Sequence, residues 1–334
     1  ALARPVSLLF MTQLLWMTMD RHPDSLRALI REQLDSTGWD VFEVSYDSIE
    51  SMERVPLEEI DAVLLAPARH LPVEHMDRLS SCKLMQVWSS GYDKFNIDDA
   101  HSLGIAVANN YGSNAVSVAE QTILLMLGVS RRAPEMHQRV ISGNWAGNDH
   151  GMSSHSLVGK SLGIVGLGNI GTLVARRAEA FGMEISFADP AVEHSPDVAW
   201  EKKSLERLLS ESDYVTLHLH LEDSTRGMID ADKIKLLAKK PFLINVSRAE
   251  LIDRKALLNA LDTGRIRGVG FDAHYDEPTA PTDELFRHQN VMFSPHVAGS
   301  TIDSYKATIA ACIRNIRQAT EGDVIEGLIQ SAAP

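Results

Sequence analysis

Cysteine is almost missing from this chain. Cys82 and Cys312 are the whole complement, far apart in sequence, which excludes a disulfide framework and points to a reducing cytoplasm. Neither sits in a metal-ligand spacing. The 13 histidines are scattered without paired His, Cys or carboxylate spacing, so no metal site is expected. Basic runs are missing too. No Lys/Arg run exceeds a pair and the formal charge is −13, which argues against a nucleic-acid partner while leaving room for local basic pockets. No apolar run is long enough to span a bilayer. The stretch from Val6 to Met19 follows Arg4 as a secretion signal would, yet no small-residue cleavage site precedes Asp20. It reads as a buried first strand, Val6–Phe10, running into a loop. Internal repeats and low-complexity linkers are also absent.

What is present suits a globular α/β protein: 334 residues, 44% hydrophobic and 23% charged, too many residues for one ordinary core. The first hundred residues alternate strand-like and helix-like runs at Val6–Phe10, Leu26–Leu34, Val41–Val44, Ala62–Leu65, Val73–Leu79, Leu84–Trp88 and Ile105–Ala108, a small α/β layer of its own. One long helix, apolar all round and so expected to be buried, follows from Ser113 to Arg132. Beyond it, strands are expected after residue 160 and at Tyr214–His218, Phe242–Val246, Gly268–Phe271 and Val291–Phe293, with helices at Ser204–Leu209, Ala231–Leu237 and Arg254–Leu261. This supplies six strands for a doubly wound parallel sheet. A last helix, Thr301 to Thr320, is expected to pack back on the first domain. The division predicted is residues 1–110 with 299–334 against 111–298, with the active site in the cleft between the two.

Gly166-Leu167-Gly168-Asn169-Ile170-Gly171 lies between the apolar run Ser161–Val165 and a helical pattern carried by Ile170, Leu173, Val174, Ala178 and Phe181. The next strand, Met183–Ala188, leads into Asp189. In that setting the first glycine permits the tight turn, the second lets backbone approach a pyrophosphate, and the third packs helix on strand. Asp189 would accept from both ribose hydroxyls of an adenosine. It would also repel a 2′-phosphate, and nothing basic follows from Pro190 to Ala199, so NAD(H) is expected over NADP(H). The ordinary alternative is a strand-end Asp fixing a turn with Pro190.

Arg248, Glu277 and His296 fall at strand ends of the second half, where open parallel sheets place ligands. Alone, each has a plain alternative: a solvated loop arginine, a turn acid before Pro278, a cap before the last helix. Together with Asn114–Glu120, His218–Gly227, Ile244–Arg248, Asp272–Pro278 and Ser294–Gly299, they make the chain resemble the NAD-dependent D-2-hydroxyacid dehydrogenases, a family that includes phosphoglycerate dehydrogenase and glyoxylate/hydroxypyruvate reductase.

The resemblance covers nearly the whole chain. It implies a Rossmann NAD domain with a smaller flavodoxin-like substrate domain, a cytoplasmic homodimer built partly on the Val116–Val129 helix and Trp145, and hydride transfer between NAD(H) and a small 2-keto or D-2-hydroxy acid. Arg248 would bind the carboxylate and keto oxygen, His296 would be the acid/base, and Glu277 would hydrogen-bond its imidazole. Gly166, Gly168, Asn169, Ile170, Gly171, Asp189, His218, Val246, Ser247 and Asp272 would bind the cofactor, and Ser89, Ser90 and Gly91 the substrate carboxylate, with Arg69 and His70 reaching its far end.

The roles also make physical sense. A planar carboxylate beside a carbonyl suits the guanidinium fork, and a carbonyl oxygen gaining charge needs a proton donor. Ala249, His220 and His274-Tyr275 depart from the family pattern. A non-enzymatic NAD(H)-responsive corepressor-like protein, or a formate or phosphite dehydrogenase, are the alternatives.

Overall fold

A computed structural model describes residues 11–330 apart from 67, 68, 70, 96, 146 and 147. The chain divides into two compact units, one made of the residues up to Asn114 with those from Thr301 onward, the other of Ala115–Ser300.

In the first unit five parallel strands, β1 (Gln13–Thr18), β2 (Asp40–Ser45), β3 (Ala62–Leu65), β4 (Leu84–Val87) and β5 (Ala106–Ala108), run in the order β5-β4-β3-β1-β2. Leu328–Ile329 closes the β5 edge antiparallel. This is the flavodoxin-like order, with its switch point between β1 and β3. Successive side chains point to opposite faces and both faces are covered. Leu15, Met17, Val63, Leu65, Met85 and Val87 feed one core. Leu14, Trp16, Ala62, Leu64 and Leu84 feed the other, beneath helices Asp24–Asp35 and Ile302–Glu321. Thr301 caps that last helix by accepting the Ser304 amide, and Gly322 ends it at φ 84°. Cys82 and Cys312 lie in the two opposite cores.

One expectation about this unit is corrected. Val6–Phe10 lies outside the described residues, and the first strand among the described residues is Gln13–Thr18, where a loop is expected. Leu14 to Met17 form an unbroken apolar run that can be buried on both faces, and Thr18 satisfies its hydroxyl on the Val44 carbonyl.

The second unit carries seven parallel strands, β6 (Ser161–Val165), β7 (Glu184–Ala188), β8 (Glu201–Lys202), β9 (Tyr214–Leu217), β10 (Phe242–Asn245), β11 (Gly268–Phe271) and β12 (Val291–Phe293). Their order is β12-β11-β10-β9-β6-β7-β8, a doubly wound sheet whose direction of build reverses between β6 and β9. The count exceeds the expected six because β8 joins the edge by pairing with Ser186 and Phe187. Both of its side chains are exposed, so no apolar pattern marks it.

The apolar helix runs Ala115–Ser130 and is mostly buried, with Ala119, Leu125 and Met126 at 0% exposure, although Val116 and Leu124 keep 51% each. It is therefore not enclosed all round. Arg132, at φ 50°, breaks it from a second helix, Ala133–Ile141, that buries no residue. Among the described residues no helix is long and apolar enough to cross a membrane, and no group of three or more His, Cys, Asp and Glu side chains could hold a metal ion.

Candidate active site

The carboxyl ends of β6, β7, β9, β10, β11 and β12 share one edge of the second sheet, because the strands are parallel. Every functional residue expected in this unit sits on that edge. The glycine turn comes first. Gly166 has φ +93°, and a Cβ there would meet the His218 carbonyl oxygen at 2.5 Å. A Cβ on Gly171 would stand 2.2 Å from the Gly166 carbonyl oxygen. Gly168 differs: a Cβ there would have nothing within 4 Å, so its face is open. It precedes helix Asn169–Ala180 without a side-chain cap, leaving the first amides of Asn169, Ile170 and Gly171 to an outside acceptor.

Asp189, at the end of β7, accepts the Leu167 amide on Oδ2 and the Ala191 amide on Oδ1, both at 2.8 Å. It thus fixes the glycine turn and its own turn together, and a carboxylate oxygen with one donor can accept another. Across the switch point, His218 follows β9. Its Nε2 lies 3.0 Å from Thr216 Oγ1, while its Nδ1 is buried with no partner. Burial pushes its pKa down to about 3, so the ring is neutral.

Behind β10, the fully buried Asn245 shapes the turn that carries Val246, Ser247 and Arg248. Its Nδ2 donates to the Arg248 carbonyl at 2.7 Å and its Oδ1 accepts the Ser247 amide at 3.0 Å. Ser247 Oγ donates to the Leu217 carbonyl at 2.8 Å, tying this turn to β9. Arg248 is half-buried, with Nη1 donating to the Ser247 carbonyl at 2.9 Å.

The loops behind β11 and β12 meet in one hydrogen-bonded assembly. Asp272, at 0% exposure, accepts Ser294 Oγ at 2.5 Å and the Val297 amide at 3.0 Å on Oδ1, and the Ala298 amide at 2.9 Å on Oδ2. Its carbonyl accepts the His296 amide at 2.8 Å. His296 is held at φ 53°, a left-handed conformation that a non-glycine residue keeps only when its surroundings impose it. In that pose its Nδ1 stands 2.7 Å from Glu277 Oε1, with both side chains partly open to solvent.

The residues expected to hold substrate lie in the first unit. Ser89 Oγ donates to the Gly91 carbonyl at 2.6 Å. Ser90 Oγ lies 2.5 Å from Asn110 Oδ1 and 2.8 Å from Asn114 Oδ1, and Asn109 Nδ2 donates to the Ser90 carbonyl at 2.9 Å. Arg69 is engaged inside its own unit. Its Nη1 pairs with Asp47 Oδ1 at 3.2 Å, and its guanidinium lies 5.9 Å from the centre of the Tyr46 ring. His70 lies outside the described residues.

Comparisons with known proteins are decisive about kinship. The family model "D-isomer specific 2-hydroxyacid dehydrogenase, NAD binding domain" matches residues 123–298. The glyoxylate reductase of Thermococcus litoralis is 32% identical over 280 residues, 82% of this chain and 84% of that protein. The chain belongs to the D-isomer specific 2-hydroxyacid dehydrogenase family. The hydroxypyruvate reductase of Thermotoga maritima is likewise 32% identical over 269 residues, 79% of this chain and 86% of that one. The crystal structure of a glyoxylate reductase from Paecilomyes thermophila superposes with a TM-score of 0.81 at 28% identity, covering 95% of this chain and 98% of that chain.

This dehydrogenase is thus an oxidoreductase with an NAD-binding domain, and its own residues fit that group. The face of Gly168 is open, the helix behind it is uncapped, and the buried His218 Nδ1 awaits a partner at the same edge. Several residues that hold these turns have no role assigned from the sequence: in the second unit Asn245, Ser294 and Gln121, which donates to Ser294 Oγ at 3.0 Å, and around Ser90 in the first unit Asn109, Asn110 and Asn114. The one signal available was a polar residue closing an apolar strand, as Asn245 closes Phe242–Ile244.

Proposed function

We propose that this chain interconverts a small 2-keto acid and its D-2-hydroxy acid with NAD(H) as partner, and that Arg248, Glu277 and His296 carry the reaction. The observation that supports this most strongly is the 2.7 Å contact between His296 Nδ1 and Glu277 Oε1, on the sheet edge that also holds the open glycine turn. When bound, NADH supplies the hydride. With Nδ1–H committed to Glu277, Nε2 of a protonated His296 is the nitrogen that gives its proton to the carbonyl oxygen. In oxidation the neutral ring takes the proton back at the same atom. Arg248 offers a planar fork to the substrate carboxylate and the adjacent carbonyl, and Ser89, Ser90 and Gly91 are the further substrate contacts.

Asp189 supports NAD over NADP, since a carboxylate accepts from a 2′-hydroxyl and repels a 2′-phosphate. Exposed apolar side chains at Val116, Leu124, Val140, Ile141 and Trp145 support a homodimer as the working form, and two buried free cysteines agree with a cytoplasmic setting.

The test follows NADH absorbance with glyoxylate, hydroxypyruvate, pyruvate, 2-ketobutyrate and phenylpyruvate, beside an NADPH control and a His296→Ala control. Oxidation of NADH that the variant abolishes is the expected result. Silence with all five acids despite tight NADH binding would move the assignment to formate, phosphite or phosphoglycerate as donor, or to a protein that senses NAD(H) without turning it over. Equal turnover with NADPH would overturn the cofactor preference.

A further inference from the structure

Beyond the three residues already assigned, the geometry points to His274 as a positioning residue that locks the Glu277–His296 pair, an inference that rests on the acid/base reading above. His274 stands on the loop behind β11 and touches both halves of the pair's support. Its backbone amide donates to Glu277 Oε1 at 3.0 Å, the same oxygen that faces His296 Nδ1 at 2.7 Å. Its ring Nε2 lies 2.9 Å from the Ser294 carbonyl oxygen, two residues before His296.

A carbonyl can only accept, so Nε2 carries the hydrogen and the tautomer of His274 is set. The ring is also gripped mechanically. It lies nearly parallel to Phe293, at 5.9 Å and 25°, and edge-on to Phe271, at 5.8 Å and 86°. Its backbone therefore steadies the carboxylate while its side chain ties down the loop that holds His296 at φ 53°. The Ser294 carbonyl and Ser294 hydroxyl are fastened separately, the first to His274 and the second to Asp272, so the segment entering His296 is held from two sides. Such a residue acts through Glu277 and the loop that carries His296. Its contribution is to keep Nε2 of His296 on line for proton transfer, where a misplacement of one ångström is costly.

The experiment compares His274→Phe, which keeps an aromatic ring but has no N–H, with His274→Gln, whose amide can donate near the same place. The wild-type protein and a His296→Ala control are run alongside. Expected for His274→Phe is a fall in kcat of about tenfold with KM and the NADH dissociation constant within about twofold, and for His274→Gln recovery of most of the lost kcat. Normal kcat in His274→Phe together with a loss in His274→Gln would reduce the residue to aromatic packing and overturn the proposal. Full turnover in His296→Ala would instead overturn the acid/base reading beneath it, which keeps the two failures apart. A measurement on the unaltered protein stands independent of any folding defect: nitrogen-15 imidazole spectra should show His274 as the Nε2–H tautomer, and an Nδ1–H tautomer would overturn the inference.

Discussion

The carboxylate of Asp189 accepts the amide hydrogen of Leu167, at 2.8 Å, from inside the glycine turn. One side chain therefore holds the glycine turn and carries the acceptor proposed for a ribose. Asp189→Ala removes both. NADH affinity should fall about ten- to a hundredfold, the scale of a charged hydrogen bond, and NADPH affinity should fall less. Titration of cofactor fluorescence with both nucleotides reads the ratio, and an unchanged ratio would leave Asp189 with its turn alone.

Gly171 and Gly168 should fail differently. An alanine at 171 drives its Cβ to 2.2 Å from the Gly166 carbonyl oxygen, a backbone clash of the kind that costs about 1–3 kcal/mol, so the melting temperature should drop. An alanine at 168 meets nothing within 4 Å and should fold as the wild type while binding NADH more weakly. Equal melting temperatures for the two variants would contradict the geometry, as would undiminished NADH binding in Gly168→Ala.

Glu277→Gln keeps the shape of the side chain and removes its charge. With the acceptor of His296 Nδ1 weakened, kcat should fall about ten- to a hundredfold, reaching at most the lower bound of the roughly 10²–10⁴-fold effects of general acid–base catalysis, and the NADH dissociation constant should stay within about twofold. Steady-state kinetics beside cofactor titration separate the two, and a loss confined to cofactor binding would count against the pairing.

His218 makes stability depend on pH. In the unfolded chain it titrates near 6.5 and in the folded chain near 3, so between those values only the unfolded state takes up the proton. The stability carried by the neutral ring is complete above pH 6.5 and is lost as pH falls below it. At pH 5 the loss is about 2 kcal/mol. Denaturant unfolding at pH 7.5 and pH 5 should show a smaller decline for His218→Gln than for the wild type; parallel declines would mean that the ring titrates freely.

The sequence was legible where one physical signal dominates. Gly268–Phe271 is a short apolar run buried by both layers, and Val291–Phe293 is a short apolar run half-buried at the sheet edge. Gly166 and Gly171 are readable because backbone closeness admits no other residue. Pairing without burial left no trace: Glu201–Lys202 is a strand only through its neighbour, and Leu328–Ile329 is too short to show a period. Gln13–Thr18 forms a strand where a loop is expected, because its apolar run Leu14–Met17 carries no alternation to mark it. The role of Asn245 depends on where its two partners fall after folding, as does the capture of Arg69 by Asp47. Each joins residues whose nearness a linear pattern does not encode.

Cys82 and Cys312 are free thiols sealed into opposite faces of the first sheet, each pushed up to about 12 by burial. Thiolate is the reactive form, so the native protein should ignore maleimides and be alkylated only when its first unit opens, which makes labelling rate a clock for that opening. The second unit contains no cysteine. A single cysteine introduced on its surface would then take a fluorophore or spin label without interference from the native pair.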